Sequence, residues 1–282
     1  MGKLVDVVDI VKFRSPSFMR PSRILRDVAS RGVAASIKVN FSDPRVVEMA
    51  GLVGFSCVWV CREHVPMDWR DVENVVRAAK IYDMDVVVRV DKGSYSDYIK
   101  PFEADAAAIM VPHVTSAEEA RKIVETCRFR PLGNRALDGG NIDGGFCRIP
   151  VEEYIAASNR EKLIILQIES PEAVEAIDEI AAVEGYEYLL FGPGDYAHRI
   201  NKPGKIFDPE VLAARCRVEE AARRHGKKLF AVGAQGTPSE LMQRGYSVIN
   251  LGSDVGHISK AWQEVLNNFS QNIQESSSYY AR

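Results

Sequence analysis

The sequence predicts a single (βα)8 barrel on two observations: the length of the chain, and a regular alternation of short apolar runs with longer amphipathic stretches. At 282 residues the chain exceeds the usual size of one domain, but α/β barrels commonly fill this length as one unit. Strands that alternate with helices are typical of parallel βαβ units. We therefore expect one domain over 1–282, with a core at about 22–270, an N-terminal extension, a C-terminal helix and a flexible tail at 271–282.

Each predicted strand is a short run rich in β-branched and apolar residues. Such runs are typical of strands that are buried on both faces of a parallel sheet. The predicted strands are Val33–Val39, Cys57–Cys61, Val86–Val90, Ala107–Val111, Leu163–Ile168, Tyr188–Phe191, Lys228–Val232 and Ser247–Leu251.

The predicted helices fill the gaps between these strands. Several begin with a capping residue before an acidic first turn, as where Ser170 precedes Pro171 and Glu172, and this pattern stabilises a helix N-terminus. The predicted helices are Pro44–Leu52, Trp69–Ile81, Tyr95–Phe102, Ser116–Thr126, Pro171–Ala182, Pro209–His225, Pro238–Arg244 and Ile258–Phe269.

The connection from Arg128 to Lys162 is too long for a plain loop, and such length usually accompanies function or mobility. It contains a short predicted helix at Val151–Ser158 and four glycines at 139, 140, 144 and 145. The chain has no GxGxxG or GxxxxGK[ST] motif. We therefore interpret the segment as a lid or substrate loop and not as a nucleotide site.

The charge and hydropathy of the chain disfavour several classes of partner. A formal net charge of −3 gives no general attraction to nucleic acid or to an anionic membrane. No apolar run approaches the roughly 18 residues that span a bilayer, and the start of the chain lacks a signal-peptide cleavage site. The five cysteines are odd in number and form no CxxC pair, which argues against disulfides or a zinc site. We expect a cytoplasmic protein that binds neither nucleic acid nor membrane.

Two acidic residues follow neighbouring predicted strands, at the end of the barrel where reacting groups collect. Glu169 comes directly after the run LIILQI, and Asp195 follows the glycine-rich turn FGPG. Two convergent carboxylates suit a hard cation such as Mg²⁺ or Mn²⁺ better than zinc. Each acid alone equally fits a helix cap or first-turn position, but the pair predicts a metal site. Further polar residues near strand ends are Lys38, Asn40, Asp91, His113, Gln235 and Asp254.

His64 and Arg89 are the other candidates for chemistry. His64 follows a buried strand beside Glu63, where an imidazole can act as a general base near neutral pH, although a lone loop histidine is more often structural. Arg89 lies within the apolar run VVVRV, where an unpaired guanidinium is costly, so it must meet an anion. That anion is either part of the substrate or a structural partner such as Glu63.

Six segments of the chain resemble the HpcH/HpaI aldolase family, the class II, metal-dependent pyruvate aldolases, and in particular its 2-dehydro-3-deoxyglucarate aldolase-like members. They stand in the family's order and near its spacing, from about Ser22 to Phe269. The segments are GFSCVWVCREHVP, VVVRV, IMVPHVTSAEEA, RFRPLGNRA, LQIESPEAVEAIDEI and LLFGPGDYA. The resemblance implies a (βα)8 barrel and a homo-oligomer, either a hexamer or another dimer-based assembly.

The resemblance also implies a metal centre. Glu169 and Asp195 would bind a divalent cation, Mg²⁺ or Mn²⁺ with Co²⁺ as a third option, and Gln167 would lie beside them. The substrate implied is a small-molecule 2-oxo acid that chelates this cation.

The reaction that the resemblance implies is carbon–carbon cleavage of a 4-hydroxy-2-oxo acid to pyruvate and an aldehyde, through an enolate that the metal stabilises. His64 would be the base, Arg89 would hold the keto oxygen and the enolate charge, and the backbone at Gly194 would meet the substrate carboxylate. Decarboxylation of oxaloacetate or a related 2-oxo acid through the same enolate is an alternative. Citryl- or malyl-CoA lyase chemistry is weaker, because no added basic segment for coenzyme A is present.

Two residues depart from the family's pattern. Cys61 stands where the family carries an acid that orients the base, so Glu63 becomes the only acid beside His64. Lys38 stands where the family often has an aromatic or apolar residue, which favours recognition of a substrate carboxylate or phosphate; a Schiff-base lysine, or a lysine that reaches solvent or pairs with Asp91, are the alternatives. Cys61, together with Arg62 beside it, also leaves open a catalytically degenerate barrel that binds a metabolite.

Overall fold

The computed structural model describes residues 19–233 and 235–280, and its eight strands form one closed barrel in chain order. All neighbouring pairs are parallel, including the pair that closes the barrel between the first and last strands. The strands are β1 Ala34–Val39, β2 Cys57–Cys61, β3 Asp85–Arg89, β4 Ala108–Val111, β5 Leu163–Ile168, β6 Tyr188–Phe191, β7 Lys228–Ala231 and β8 Tyr246–Ser253. The predicted (βα)8 barrel is confirmed.

Helices alternate with these strands and surround the barrel. They are α1 Arg23–Arg31, α2 Pro44–Val53, α3 Trp69–Ile81, α4 Tyr95–Glu103, α5 Ala117–Cys127, α6 Val151–Glu161, α7 Pro171–Glu175, α8 Ile177–Ala181, α9 Pro193–Arg199, α10 Pro209–Arg224, α11 Pro238–Gln243 and α12 Asp254–Tyr280. In neither described stretch is a helix both long and apolar enough to cross a membrane.

The helices before α12 depart from the sequence prediction at three places. The helix predicted over Pro171–Ala182 is divided at Ala176 into α7 and α8. Two helices were not predicted, α1 and α9. The first begins at the N-cap Ser22 and ends at Gly32, whose φ of 77° is the left-handed conformation that glycine adopts easily. Its residue Ile24 packs into the barrel interior, so α1 closes the end of the barrel away from the site.

The ends of the chain follow the prediction only in part. The C-terminal helix α12 begins at Asp254 and continues to Tyr280, beyond the predicted limit of Phe269. The flexibility expected of residues 271–282 stays a prediction, and the last two of them lie outside the described residues. The predicted N-terminal extension also falls mainly outside them, at residues 1–18.

Two apolar layers arise because successive side chains of a strand point to opposite faces. Trp59, Met110, Ile165 and Phe230 belong to the cluster inside the barrel, while their neighbours along the strands pack outward against the helices. At the carboxyl ends of the strands the inner positions become polar. Arg89 pairs in register with Cys61 on β2, so the polar side chains gather at one mouth of the barrel.

The long connection after α5 is held in place by a buried ion pair. Arg135 contacts Asp143 at 3.1 Å, and the Tyr154 hydroxyl donates to the same carboxylate at 2.6 Å. Further along, Ile142 and Phe146 line a groove with residues of α3 and α4. The middle of the connection is therefore held by contacts within itself and faces α3 and α4, and its role as a lid or substrate loop stays a prediction.

Candidate active site at the barrel mouth

Glu169 is a buried carboxylate at the end of β5, with 1% of its surface exposed. Its Oε1 accepts a hydrogen bond from the backbone N–H of His113 at 2.8 Å, and its Oε2 accepts one from Nε2 of Gln167. Burial raises the pKa of Glu169 and the charge of Asp195 adds to the rise, while His113 and Gln167 act in the opposite direction. A cation that replaced a proton here would relieve the cost of burying this charge.

Gly192 makes room for this carboxylate. A Cβ atom built at Gly192 would lie 2.9 Å from both Cβ and Oε2 of Glu169 and 3.4 Å from Nε2 of Gln167. The contact is too close for a larger residue, so the first glycine of the FGPG turn is required by packing and not by its backbone angles.

Asp195 follows in the first turn of α9, where its side chain is exposed. Its charge contributes to the raised pKa of Glu169, which places the two carboxylates within electrostatic reach of each other. Among the described residues, no three His, Cys, Asp or Glu side chains are arranged to hold a metal ion. A cation at this site would thus have two carboxylates and would complete its shell with neutral oxygens, substrate or water.

Glu63 links the two sides of the mouth. Its Oε1 lies 2.9 Å from Nε2 of His113, and its Oε2 lies 3.1 Å from Nε of Arg89. His113 in turn places Nδ1 2.8 Å from Oε1 of Glu169. A continuous chain of charged and polar contacts therefore runs from the buried guanidinium of β3 to the buried carboxylate of β5.

His64 lies at the edge of this chain. Its side chain is 59% exposed, and its Nε2 lies 3.6 Å from Oε2 of Glu63. Its backbone N–H donates to the sulfur of Cys61 at 3.4 Å. The imidazole is accordingly free to meet a substrate, and its predicted role as the base stays a prediction.

Cys61 supports Arg89 and not the ring of His64. The thiol is fully buried, and its sulfur accepts from Nε and Nη2 of Arg89 at 3.2 and 3.0 Å. Arg89 is 5% exposed and meets its anion in Glu63, the structural partner that the sequence offered as an alternative. Its guanidinium is fixed at the mouth before any substrate binds.

Lys38 and Gly194 complete the predicted residues. The Nζ of Lys38 lies 5.4 Å from the centre of the Trp59 ring. Asp91 pairs with Arg62 at 3.0 Å, and among the described residues no ion pair joins Asp91 to Lys38. Gly194 is exposed at the start of α9, and a Cβ there would meet nothing within 4 Å. The backbone at Gly194 is open to a ligand, and its predicted contact with a substrate carboxylate stays a prediction.

His113 is the site residue whose role the sequence did not reveal. It directly follows β4 and was visible only as one of several polar residues near strand ends. Its backbone has a φ of 55°, a left-handed conformation that is uncommon for residues other than glycine. This conformation lets the backbone N–H and the ring face the same Glu169 oxygen.

Residues 39–261 match the sequence profile of the HpcH/HpaI aldolase/citrate lyase family. The chain belongs to this family. The chain is similar to the 5-keto-4-deoxy-D-glucarate aldolase of Klebsiella pneumoniae, to which it is 27% identical over 250 residues that cover 88% of this chain and 97% of that protein. The corresponding aldolase of Escherichia coli O139:H28 is also 27% identical with the same coverage. Membership makes this chain a carbon–carbon lyase of the aldolase type.

Several solved structures share the fold of this chain. The citrate synthase SbnG superposes with a TM-score of 0.80 at 27% identity, covering 88% of this chain and 98% of that one. An HpcH/HpaI aldolase from Desulfitobacterium hafniense gives 0.80 at 26% identity, with 87% and 96% coverage. Macrophomate synthase gives 0.79 at 25% identity, with 91% and 92% coverage. The same barrel thus carries differently named activities, so the reaction of this chain has to be argued from its own site.

Proposed function

We propose that this HpcH/HpaI protein is a metal-dependent aldolase that cleaves a 4-hydroxy-2-oxo acid into pyruvate and an aldehyde. The observation that carries the proposal is the buried carboxylate of Glu169, within electrostatic reach of the exposed carboxylate of Asp195 on the next strand-to-helix turn. Two such acids suit a hard divalent cation that keeps open positions for a chelating substrate.

The residues present fit such a cation. The Oε1 atom of Gln167 is buried and has no hydrogen-bond partner among the described residues, so a third oxygen donor lies next to Glu169. Gly192 keeps the space beside this carboxylate clear. Glu169 and Asp195 would hold Mg²⁺, Mn²⁺ or Co²⁺, and when bound the cation would supply a Lewis acid that polarises the 2-oxo group.

Arg89 would stabilise the negative charge that develops on the substrate oxygen when the carbon–carbon bond breaks. This negative charge develops only as the bond breaks. It is stabilised most effectively by a positive group that is already in position and shielded from water. The guanidinium meets both conditions, because it is buried and held by Glu63 and Cys61.

Proton transfer would fall to His64 and Glu63. We propose that Nε2 of His64 takes the proton of the C4 hydroxyl, since this imidazole is exposed to incoming substrate and lies beside the carboxylate of Glu63. A carboxylate next to an imidazole stabilises its protonated form. Glu63 also contacts His113 and Arg89. It would therefore fix the position of the proton acceptor His64 relative to the guanidinium of Arg89.

Purified protein with Mg²⁺ or Mn²⁺ tests the proposal directly. The protein should release pyruvate from a panel of 4-hydroxy-2-oxo acids. The pyruvate is measured through its reduction by lactate dehydrogenase and NADH. Oxaloacetate belongs in the same panel, because its decarboxylation passes through the same enolate and would be a variant of the proposal. If neither substrate class yields pyruvate, the proposal fails and a barrel that binds a metabolite without turnover replaces it.

We also propose that the protein forms a homo-oligomer, a hexamer or another dimer-based assembly. The C-terminal helix α12 exposes apolar side chains three or four residues apart, with Trp262 72% and Phe269 61% exposed, and such a stripe usually meets a partner surface. Light scattering on a sizing column measures the mass. Phe269→Asp should lower it and Asn268→Asp, on the same helix, should not; a monomeric wild-type protein would refute the assembly.

A further inference from the structure

The short loop after β4, residues 113–115, lies against the proposed metal site, and we call it the β4 loop. The backbone N–H of His113 donates to Oε1 of Glu169 at 2.8 Å. The next N–H, that of Val114, donates to the backbone oxygen of Gln167 at 3.2 Å. Both acceptors belong to residues of the proposed site, so the conformation of the β4 loop determines how the carboxylate of Glu169 is held.

The β4 loop needs support from outside, because the backbone of His113 has a φ of 55°. This left-handed conformation is unfavourable for a residue that carries a side chain, and it persists only where the surroundings enforce it. The ring of His113 provides part of that support through its contacts with Glu63 at 2.9 Å and Glu169 at 2.8 Å. The carbonyl group of His113 is held separately.

Lys92, on the loop after β3, makes this separate contact. Its Nζ donates to the backbone oxygen of His113 at 2.5 Å. The same ammonium pairs with Oε1 of Glu119 at 2.8 Å, and Oε2 of Glu119 accepts the backbone N–H of Thr115 at 3.0 Å. Lys92 and Glu119 together hold both ends of the β4 loop from its outer side.

Lys92 contacts the β4 loop and not the proposed metal ligands. In the part of the chain that the structure describes, its ammonium makes no ion pair or hydrogen bond with Glu169 or Asp195. The side chain of Lys92 is 41% exposed and that of Glu119 is 21% exposed, so water screens their contact only in part. Any effect of Lys92 on the position of Glu169 therefore passes through the β4 loop.

We propose that Lys92 is a positioning residue of the metal site: its ammonium holds His113 in the left-handed conformation, and His113 in turn holds Glu169. The inference rests on the proposed function, since it assumes that Glu169 and Asp195 bind the cation. It gives Lys92 an effect opposite to that of its charge. A positive side chain near a cation site weakens cation binding by repulsion, whereas a residue that fixes a metal ligand strengthens it.

The sign of the change in Mn²⁺ affinity tests the proposal. Titration of the full chain, followed through the electron paramagnetic resonance signal of unbound Mn²⁺, measures this affinity. Lys92→Met should weaken Mn²⁺ binding about fivefold, the scale of one lost hydrogen bond from a charged group that is partly exposed. Lys92→Arg keeps a charged donor and should restore most of the affinity. Unchanged or tighter binding by Lys92→Met would overturn the inference.

Two further variants show whether Lys92 acts through the backbone of His113. Lys122→Met, which removes an exposed lysine on α5, is the matched control and should bind Mn²⁺ as the wild type does. His113→Gly supplies a residue that adopts the left-handed conformation without cost, so Lys92 has no strained backbone to hold there. In that background Lys92→Met should weaken Mn²⁺ binding much less. Equal weakening in both backgrounds would contradict the proposed route.

Hydrogen–deuterium exchange separates this inference from the proposed function, because it needs neither metal nor substrate. In metal-free protein, Lys92→Met should speed exchange of the amides at 113–115 about fivefold, measured by mass spectrometry on a peptide that spans the β4 loop. Lys122→Met should exchange as the wild type does. If wild-type protein binds no Mn²⁺, the metal-dependent aldolase fails, yet faster exchange in Lys92→Met would still support its hold on His113. Unchanged exchange would refute the inference whatever the protein binds.

Discussion

His113 and Glu169 are joined twice: the backbone N–H of His113 donates to Oε1 of Glu169 at 2.8 Å, and its ring Nδ1 lies 2.8 Å from the same oxygen. The opposite ring nitrogen lies 2.9 Å from Glu63. A side chain placed in this way sets the orientation of a buried carboxylate that is itself proposed to hold a cation. His113 is therefore expected to act on the metal site through Glu169.

The first prediction concerns this histidine. His113→Asn keeps a residue that tolerates the left-handed backbone and keeps the backbone hydrogen bond, but it removes the ring that contacts both acids. Loss of such a supporting contact usually weakens metal binding about 10- to 100-fold. Titration with Mn²⁺ measures the change. His225→Asn, at the far end of α10, is the control, and equal affinity in the two variants would show that the ring does not position Glu169.

The second prediction concerns Cys61. Cys61→Asp restores the acid that the family carries, and an aspartate would compete with Glu63 for Arg89 and leave Glu63 closer to His64. If His64 is the base, kcat should rise about tenfold, a modest part of what general base catalysis contributes. Cys61→Asn is the matched control, because asparagine has the shape of aspartate without its charge. An unchanged or lower kcat would mean that the enzyme orients its proton acceptor in another way.

The third prediction concerns Gly192. In Gly192→Ala the new methyl group would collide with Cβ and Oε2 of Glu169 at 2.9 Å, so the carboxylate has to move. Because a displacement of about 1 Å in an active site can lower the rate about 100-fold, kcat/KM for pyruvate release should fall on that scale. The far-UV circular dichroism should stay that of the wild type. Full activity would show that Glu169 tolerates repositioning and is not tightly held.

The fourth prediction concerns stability and its dependence on pH. Asp105 is buried against Lys162 and Lys80. Burial alone would raise the pKa of Asp105, but the two lysines outweigh it and hold this pKa below its ordinary value. The ion pairs therefore stabilise the fold at neutral pH, and this contribution is lost as the pH falls through the depressed pKa.

Asp105→Asn should lower the free energy of unfolding at pH 7 by about 3 kcal/mol, because it leaves a buried lysine unpaired. Urea unfolding at pH 7 and again below pH about 4 measures both effects, and the difference from wild type should shrink at the lower pH. Asp178→Asn, which removes an exposed pair with Arg224, should change stability much less. A difference that stays constant with pH would contradict the assigned role of the carboxylate.

The fold could be predicted from the sequence because its signals are local. No observed strand end differs from its predicted position by more than two residues, since runs such as CVWVC and LIIL are apolar without interruption. Helix α1 was not predicted because its residues are mostly polar and only Ile24 is buried deeply in the barrel. Helix α9 was not predicted because its seven residues are too few to show the periodicity of a helix.

The site could be predicted only in part, for a related reason. Glu169 and Asp195 each follow a strand, so barrel geometry alone brings them to one mouth. The contact of His113 with Glu169 depends on a positive φ, and the pairing of Glu63 with both His113 and Arg89 depends on side-chain directions in a loop. Neither is encoded in a periodic pattern, so the sequence could offer the pair of Glu63 with Arg89 only as one of two alternatives, and the contacts of His113 with Glu63 and Glu169 appear only in the structure.

In the proposed reaction, pyruvate release depends on a divalent cation that Glu169 and Asp195 hold. The most direct measurement follows pyruvate release from a 4-hydroxy-2-oxo acid in protein stripped with EDTA, before and after addition of Mn²⁺, for the wild type and for Glu169→Gln. We expect stripped wild-type protein to be inactive and Mn²⁺ to restore it, while Glu169→Gln, which keeps the shape but loses the charge, stays at least about 100-fold slower. Pyruvate release that persists in EDTA, or full activity of Glu169→Gln, would show that the reaction does not depend on a cation held by Glu169.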